Sequence, residues 1–381
     1  MSSTNKTKKL LVLCPHPVGY APGQRLKYEQ YFSDWEQNGF LVDVQPFMTE
    51  AFQQVLYKKG NFIKKAIGIV SGYFRRTKNL FIISKYDLVY IFLWVTPLGP
   101  PVFEWLAVKL ARKIIYDIDD LVFLKNQRAE PWYALLLKGR QKPSFLMKRA
   151  DHVITCTPFL DSYARQFNAN TTDISSTVNT ETYQPINAYS NDTTITLGWS
   201  GSHSTIRMLK TILPVFTELK KLVNFKLLIM GSKDFQLEGI PVETVEWSEE
   251  KEIITLQRMD IGLYPLPMDE EWVKGKSGLK AIQYMAMGIP TIASNTGCND
   301  RVIEKGISGF LVNTQEEWIE KLLLLIPNPP LRKQIGLAGR ERVEKMFSIT
   351  VNAPVYLSIL NEVINKNKQG MKKNTFRWSK P

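Results

Sequence analysis

Residues 275–294 read GKSGLKAIQYMAMGIPTIAS. Two glycines and two lysines open the stretch. An apolar helical pattern follows, Gly288 and Pro290 stop it, and a β-branched run closes it. Loop, helix and return strand in direct succession form the repeating unit of a parallel α/β fold. The spacing predicts a helix from Leu279, with Ile282, Met285, Ala286 and Ile289 on an apolar face. Lys276, Lys280, Gln283 and Met287 fall on another. Free N–H groups at a helix start attract anions, and Gly275 and Gly278 let the backbone approach one closely. Lysine at a helix N-terminus opposes the macrodipole. Lys276 and Lys280 therefore form either an ordinary solvated first turn or a place where an anion is meant to sit.

The same alternation runs outward in both directions. KLLVLCP, FLVDVQPF, YDLVYIFL, KIIYDID and DHVITCT read as strands with helical segments between them. Among those segments GQRLKYEQYFSDWEQNG reads as one amphipathic helix closed by Gly39. The polar, turn-rich NTETYQPINAYSNDTT breaks the pattern and predicts a linker at residues 185–194. Beyond it come strand ITLGWSG, helix TIRMLKTILPVFTELKK, strands FKLLIMG and VETVEW, helix EEKEIITLQRM, and strands DIGLYPL, TIAS and GFLVN. Continuous β-branched runs separated by helices indicate parallel sheets covered on both faces. The expected fold class is α/β, with two tandem Rossmann-like domains whose parallel sheets face a cleft. The first domain is placed at residues 1–187 and the second at 188–350. A C-terminal helix that packs back on the first domain, and a basic tail, occupy residues 351–381.

Bulk properties agree with two soluble domains. The chain has 381 residues, 44% of them hydrophobic, which is more than one core holds. Its formal net charge of +13 is uneven, with 24 Lys+Arg against 15 Asp+Glu in residues 1–185 and 25 against 21 in the rest. A basic first half points to an anionic partner. Cys14, Cys156 and Cys298 are far apart and odd in number, which argues against a disulfide framework or zinc site and for a reducing cytoplasm. The opening MSSTNKTKKLLVLCPHP is apolar only over residues 10–14, so it reads as a first strand rather than a signal peptide. The longest apolar region, residues 88–108, is broken by Pro97, Gly99, Pro100, Pro101 and Glu104 and is not a membrane span.

Four loops carry candidate chemistry. GWSGSHST (residues 198–205) offers Ser200, Gly201 and Ser202 to a phosphate, or caps a helix through Ser202 or Ser204; His203 reads as a surface residue. CPHPVGYAPGQR (residues 14–25) places Arg25 at a helix start after Gly19 and Gly23. It lacks G-x-G-x-x-G, which disfavours a dinucleotide cofactor; His16 is a weaker candidate. YDIDDLVF (residues 116–123) contains a D-x-D, Asp117 and Asp119, able to hold a divalent metal on a diphosphate; strand alternation points both to one side. Asp119 and Asp120 are able to orient a bound hydroxyl or to cap the next segment. DIGLYPLPMDEEW (residues 260–272) brings Glu270 and Glu271 near the lysine turn.

Taken in order, these elements resemble the family-4 (group 1) retaining glycosyltransferases of the GT-B fold. In that family a glycine-containing turn enters a helix ending in EAMAxGxPVIAS, and QYMAMGIPTIAS is similar to it. ADHVITCTPFL, ISSTVNTETYQP, FKLLIMGS, DIGLYPL and GCNDRVIEKGISGFLV extend the resemblance over most of the chain. It implies an enzyme that moves a sugar, with retention and without a metal, from a nucleotide-diphosphate sugar to a glycan or lipid-linked acceptor. Cell-surface polysaccharide or glycoconjugate synthesis is the implied setting. The second domain would hold the donor and the first would face the acceptor. Lys276, Lys280, Asp119 and Arg25 are the implied catalytic residues. Ser200, Gly201, Gly231, Ser277, Gly278, Leu279 and Gln283 are the implied donor-binding residues. No cofactor is implied beyond the donor itself. Two departures stand out. Where the family often has glutamates eight positions apart, this chain has Gly275 and Gln283. Where many members carry an Arg and a Lys after the first strand of the second domain, Arg207 and Lys210 come later, inside the expected helix. Three alternatives remain open: a non-catalytic nucleotide-sugar-binding or scaffold subunit, a metal-dependent transferase using Asp117 and Asp119, and an epimerase.

Three stretches bear on membranes. Lys58, Lys59, Lys64, Lys65, Arg75, Arg76 and Lys78 interleave with Phe62, Ile63, Ile67, Ile69, Val70, Tyr73 and Phe74. LLLKGRQKPSFLMKR repeats the mixture, and the tail adds Lys372, Lys373, Arg377 and Trp378. The pattern fits an anionic bilayer surface. No nucleic-acid-binding pattern is present, so nucleic acid is not an expected partner. The expected location is the cytoplasm, or the cytoplasmic face of the membrane.

Overall fold

The computed structural model describes residues 7–56, 58, 60–124, 139–185, 194–202 and 205–366. The expected linker at 185–194, apart from its ends, His203, Ser204, Lys59, part of LLLKGRQKPSFLMKR and the tail residues Lys372, Lys373, Arg377 and Trp378 lie outside the described residues.

The first sheet contains β1 (Lys8–Cys14), β2 (Phe40–Pro46), β3 (Leu88–Phe92), β4 (Ile114–Asp117), β5 (His152–Thr155) and β6 (Thr171–Asp173) in the order β2-β1-β3-β4-β5-β6. The second contains β7 (Ile195–Ser200), β8 (Phe225–Met230), β9 (Val242–Val245), β10 (Ile261–Tyr264), β11 (Thr291–Ser294) and β12 (Phe310–Val312) in the order β12-β11-β10-β7-β8-β9. All pairings between these strands are parallel. Runs such as IIYD, HVIT and FKLLIM are almost wholly buried, as strands covered by helices on both faces must be. The order reverses beside β1 in one sheet and beside β7 in the other, and loops at the carboxyl ends of such strands form ligand crevices.

Two expected helices are broken. GQRLKYEQYFSDWEQNG folds as Pro22–Arg25, a 3₁₀ turn Glu29–Tyr31 and a helix Phe32–Gln37. The break turns three polar side chains inward. Lys27 donates to the carbonyls of Thr155 and Ile174, and Gln24 and Glu29 bond each other. TIRMLKTILPVFTELKK divides into Ile206–Leu209, Lys210–Ile212 and Leu213–Leu219, because Pro214 is tolerated only in a first turn.

The chain crosses between the domains twice, side by side. Val178 N–H donates to Phe347 O at 2.9 Å and Val178 O accepts from Ile349 N–H at 3.1 Å. Arg340 ties the first crossing to the second-domain core, donating to Ala286 O and Thr180 O at 2.7 Å and to Tyr183 O. The last described helix, Ile349–Asn365, then buries Tyr356, Ile359, Leu360 and Val363 among Leu10, Val12, Tyr90 and Ile115 of the first domain.

Candidate active site

Segments that follow the carboxyl ends of strands meet across the cleft. Ser176, after β6, shares a hydrogen bond of 2.7 Å with Ser277. Arg301, after β11, pairs with Asp173 at 2.5 Å. Lys276, after β10, pairs with Asp120, after β4, at 3.1 Å. Arg25 reaches from the turn after β1 to Glu252. The cleft is therefore lined by residues from both domains.

The lysine turn is shaped by its glycines. Gly278 caps helix Leu279–Ala286 with φ +78°, a left-handed conformation that favours glycine. Gly278 offers no side-chain cap, so it leaves the first N–H groups of this helix to other acceptors. Lys276 precedes the helix and lies outside its surface stripe; its ammonium is 5.4 Å from the centre of the Trp272 ring. The Arg207 guanidinium lies against the same ring at 5.4 Å. Lys280 lies 5.3 Å from the centre of Trp199 and 5.5 Å from that of Tyr264. Among the described residues no carboxylate is paired with Lys280. Burial, reinforced by the Lys276 charge, lowers its pKa to about 8. Three cations thus gather on aromatic faces around one helix start, and Asp120 pairs with one of them, Lys276.

The remaining candidates are distributed as follows. Gln283 is buried, with its amide donating to Glu252 at 2.6 Å and to Tyr183 Oη at 3.1 Å. Gly275 is packed against the first domain, where an added Cβ would lie 2.6 Å from Leu121 Cγ. Ser200 is turned inward, its N–H donating to Tyr284 Oη at 2.7 Å and its Oγ accepting from the same hydroxyl at 3.1 Å. Gly231 has φ +94°, and a Cβ there would lie 1.7 Å from Gly201 O, so both glycines serve a close contact between the loops after β7 and β8. Ser202 donates through its N–H to Thr205 Oγ1, and Thr205 rather than Ser202 stands at the helix start. Leu279 begins the helix proper. Lys210 is exposed.

On the first-domain side the two aspartates of the D-x-D part company. Asp117 is fully buried, 3.3 Å from Lys27 Nζ and accepting from Tyr90 Oη. The D-x-D does not present two open carboxylates: the strand ends at Asp117, whose carboxylate belongs to the core. Asp119 lies beside the turn after β1, its Oδ2 within 2.6 Å of where a Gly23 Cβ would sit. Burial, with Asp120 and Asp117 adding repulsion, raises its pKa to about 7. Among the described residues no group of three His, Cys, Asp or Glu side chains is placed to hold a metal. His16 is bound to Gln53 at 3.0 Å, and burial lowers its pKa. Glu270 accepts from the Trp272 indole.

Trp199, Tyr264, Trp272, Glu252 and Tyr183 line or brace this site without having been singled out by sequence reasoning. Trp272 stands four residues before Lys276, and that proximity was the one available signal. Glu252 was hidden among Glu249 and Glu250 in a helix first turn, where acids are favoured anyway.

Residues 194–328 match the family model described as glycosyl transferases group 1. The chain is 38% identical over 86 residues to trehalose synthase from Pyrococcus horikoshii, a stretch covering 23% of this chain and 21% of that protein. The match thus spans about a fifth of that relative's length. The fold is similar to sucrose-phosphate synthase from Thermosynechococcus elongatus, with TM-score 0.70 and 17% identity over 93% of this chain and 98% of that one. It is also similar to Anabaena Alr3699/HepE in complex with UDP-glucose, with TM-score 0.64 and 15% identity over 93% and 99%. Residues 194–328 are thus similar to the group 1 glycosyl transferases, and the whole chain has the two-domain GT-B fold.

Proposed function

We propose that this protein transfers a sugar from a nucleotide-diphosphate sugar to an acceptor held by the first domain, with retention of configuration. The observation that carries the reading is the cluster of Lys276, Lys280 and Arg207 around the uncapped start of helix Leu279–Ala286. When the glycosidic bond to the diphosphate breaks, negative charge grows on the leaving oxygen and positive charge on the sugar ring. Helix N–H groups and Lys280 meet the first of these in a place partly shielded from water, where each interaction counts for more than in bulk. Lys276 contributes once the donor draws it from Asp120. Asp119 faces the cleft from the acceptor side, where its carboxylate orients an acceptor hydroxyl.

The family model supports the reaction class, and the structures of the Anabaena protein in complex with UDP and UDP-glucose support the donor class. A glycan or lipid-linked acceptor, used in cell-surface polysaccharide or glycoconjugate synthesis at the cytoplasmic membrane face, is the reading that the basic first domain supports. The test is incubation of the purified protein with a panel of UDP-, GDP- and ADP-sugars plus membrane extract, with and without EDTA. Release of nucleoside diphosphate dependent on the extract, and a product with the donor's anomeric configuration, is the expected result. Conversion of the donor without extract would identify an epimerase instead. Loss of turnover in EDTA would restore the metal-dependent alternative. Donor binding without turnover would leave a non-catalytic subunit.

A further inference from the structure

Helix Phe62–Ile82 leaves a long apolar face uncovered. Its inward face carries Gly68, Gly72, Arg76 and Asn79. A Cβ at Gly68 or Gly72 would lie 2.4 Å from the Phe52 or Phe47 ring, so this face is small by necessity. Arg76 is fully buried, and its guanidinium donates to Cys14 O, Gln45 O and Val95 O at 2.7–2.8 Å. Those carbonyls lie at the carboxyl ends of β1 and β2 and just beyond β3, so the helix sits at the rim where the cleft opens. Its outward face carries Ile63, Ile67, Val70, Phe74 and Phe81, within an arc of roughly 60° at 3.6 residues per turn. All five are exposed, Phe81 to 80%, and Phe62 beside them to 81%. Exposed Leu98, Val102 and Trp105 continue the patch on the neighbouring segment, which Tyr73 joins through Leu98 O.

We infer that this face docks the first domain on an anionic lipid bilayer. The choice of occupant follows from charge. Beyond the buried Arg76, the helix holds four Lys and Arg and no Asp or Glu, and Lys109 adds a cation over Trp105. Lys64, Arg75 and Lys78 flank the apolar stripe on one side, the arrangement of a helix lying in the headgroup plane. A second copy docked here would set like charges against each other. No helix among the described residues is long and apolar enough to cross a membrane, so the contact is lateral. The inference deepens the proposed function, on which it rests for its meaning: a lipid-linked acceptor would reach the cleft rim beside this helix.

The test is co-sedimentation of the full chain with phosphatidylcholine vesicles, with and without about a third phosphatidylglycerol. Wild-type protein should sediment with the anionic vesicles alone and be released by high salt. Ile67→Ser with Phe74→Ser should weaken binding at least about tenfold, since both side chains leave the apolar phase. Lys64→Glu with Lys78→Glu should do the same at low salt. Both stripe positions are exposed, so melting temperature should hold. Wild-type protein that ignores anionic vesicles, or stripe variants that bind like wild type, would overturn the inference. So would stripe variants that merely convert a dimer to a monomer in solution. Titration of the same proteins with UDP-sugars reads the other claim separately: vesicle binding without donor binding would sink the proposed function and leave this face standing, and the reverse would do the opposite.

Discussion

The Gln283 amide donates to the Glu252 carboxylate at 2.6 Å, and the same carboxylate accepts from Arg25 of the other domain. This relationship explains why a glutamine stands at a position where the resembled family often carries glutamate. A second carboxylate there would face Glu252 at hydrogen-bond distance. Gln283→Glu should therefore destabilise the protein at pH 8 by roughly 1–3 kcal/mol. The new carboxyl would have a raised pKa, so stability should return as pH falls and one of the pair takes a proton. Adding Glu252→Gln should restore much of the loss at pH 8. Urea unfolding of the two single variants and the double variant checks the cycle.

Arg25 and Glu252 are both mostly buried, with side chains 14% and 5% exposed. Removing one partner strands the other. Glu252→Ala should lower stability by about 3 kcal/mol and Arg25→Ala by a comparable amount, while the pair of changes together should cost less than their sum. Thermal unfolding of the three variants reads this directly.

Gly275 contacts Leu121 across the domain boundary. Gly275→Glu, which would supply the other family glutamate, needs space that Leu121 occupies. It should loosen the domain contact and lower the melting temperature, and Leu121→Ala should partly rescue it.

Asp119 titrates near neutrality, at about 7, because burial and two neighbouring aspartates disfavour its charge. In the proposed role the ionised carboxylate is the stronger acceptor for an acceptor hydroxyl. Activity should rise with pH through that value. Asp119→Asn should lower kcat on the order of 100-fold and flatten the limb. A pH–rate profile of both proteins checks it.

Much of the architecture was legible because buried parallel strands advertise themselves: YDLVYIFL, DHVITCT and FKLLIMG carry the continuous apolar runs that the fold requires. The three-residue β6, TTD, carries no such run and went unread. The region after Gly23 looked like one helix because Gln24, Lys27 and Glu29 sit at positions a solvated helix face would use. The partners of Lys27, namely Thr155, Ile174 and Asp117, come from later strands and loops, while Gln24 and Glu29 bond each other and the loop before them. At the site, Lys276, Lys280 and Gly278 were readable from one loop and one helix start. The brace of Arg25, Tyr183, Glu252 and Gln283 was not, since its four members come from four separate segments that only folding brings together. Likewise D-x-D spacing could not reveal that Asp117 is claimed by Lys27 and Tyr90.

The pH response of Lys280 bears on the diphosphate site. Its folded pKa of about 8 lies below the ordinary lysine value of 10.5. Below pH 8 both folded and unfolded forms are charged, and the cost of burying the charge is fully present. Stability should rise as pH rises from about 8 to 10.5, where only the unfolded form keeps the proton. Anion binding requires the charged form, so affinity for UDP should fall over that window, and binding at pH 8.5 should take up protons. Calorimetry in buffers of different ionisation enthalpy measures the uptake, and Lys280→Met should abolish it.

Calorimetric titration of UDP into wild-type protein and into the Lys276→Ala/Lys280→Ala variant at pH 7 tests the central claim most directly. Two charge-assisted contacts are at stake, so affinity should fall by about 100-fold or more while the melting temperature stays close to wild type. Unchanged affinity in the double variant would contradict the assignment of this turn as the diphosphate site.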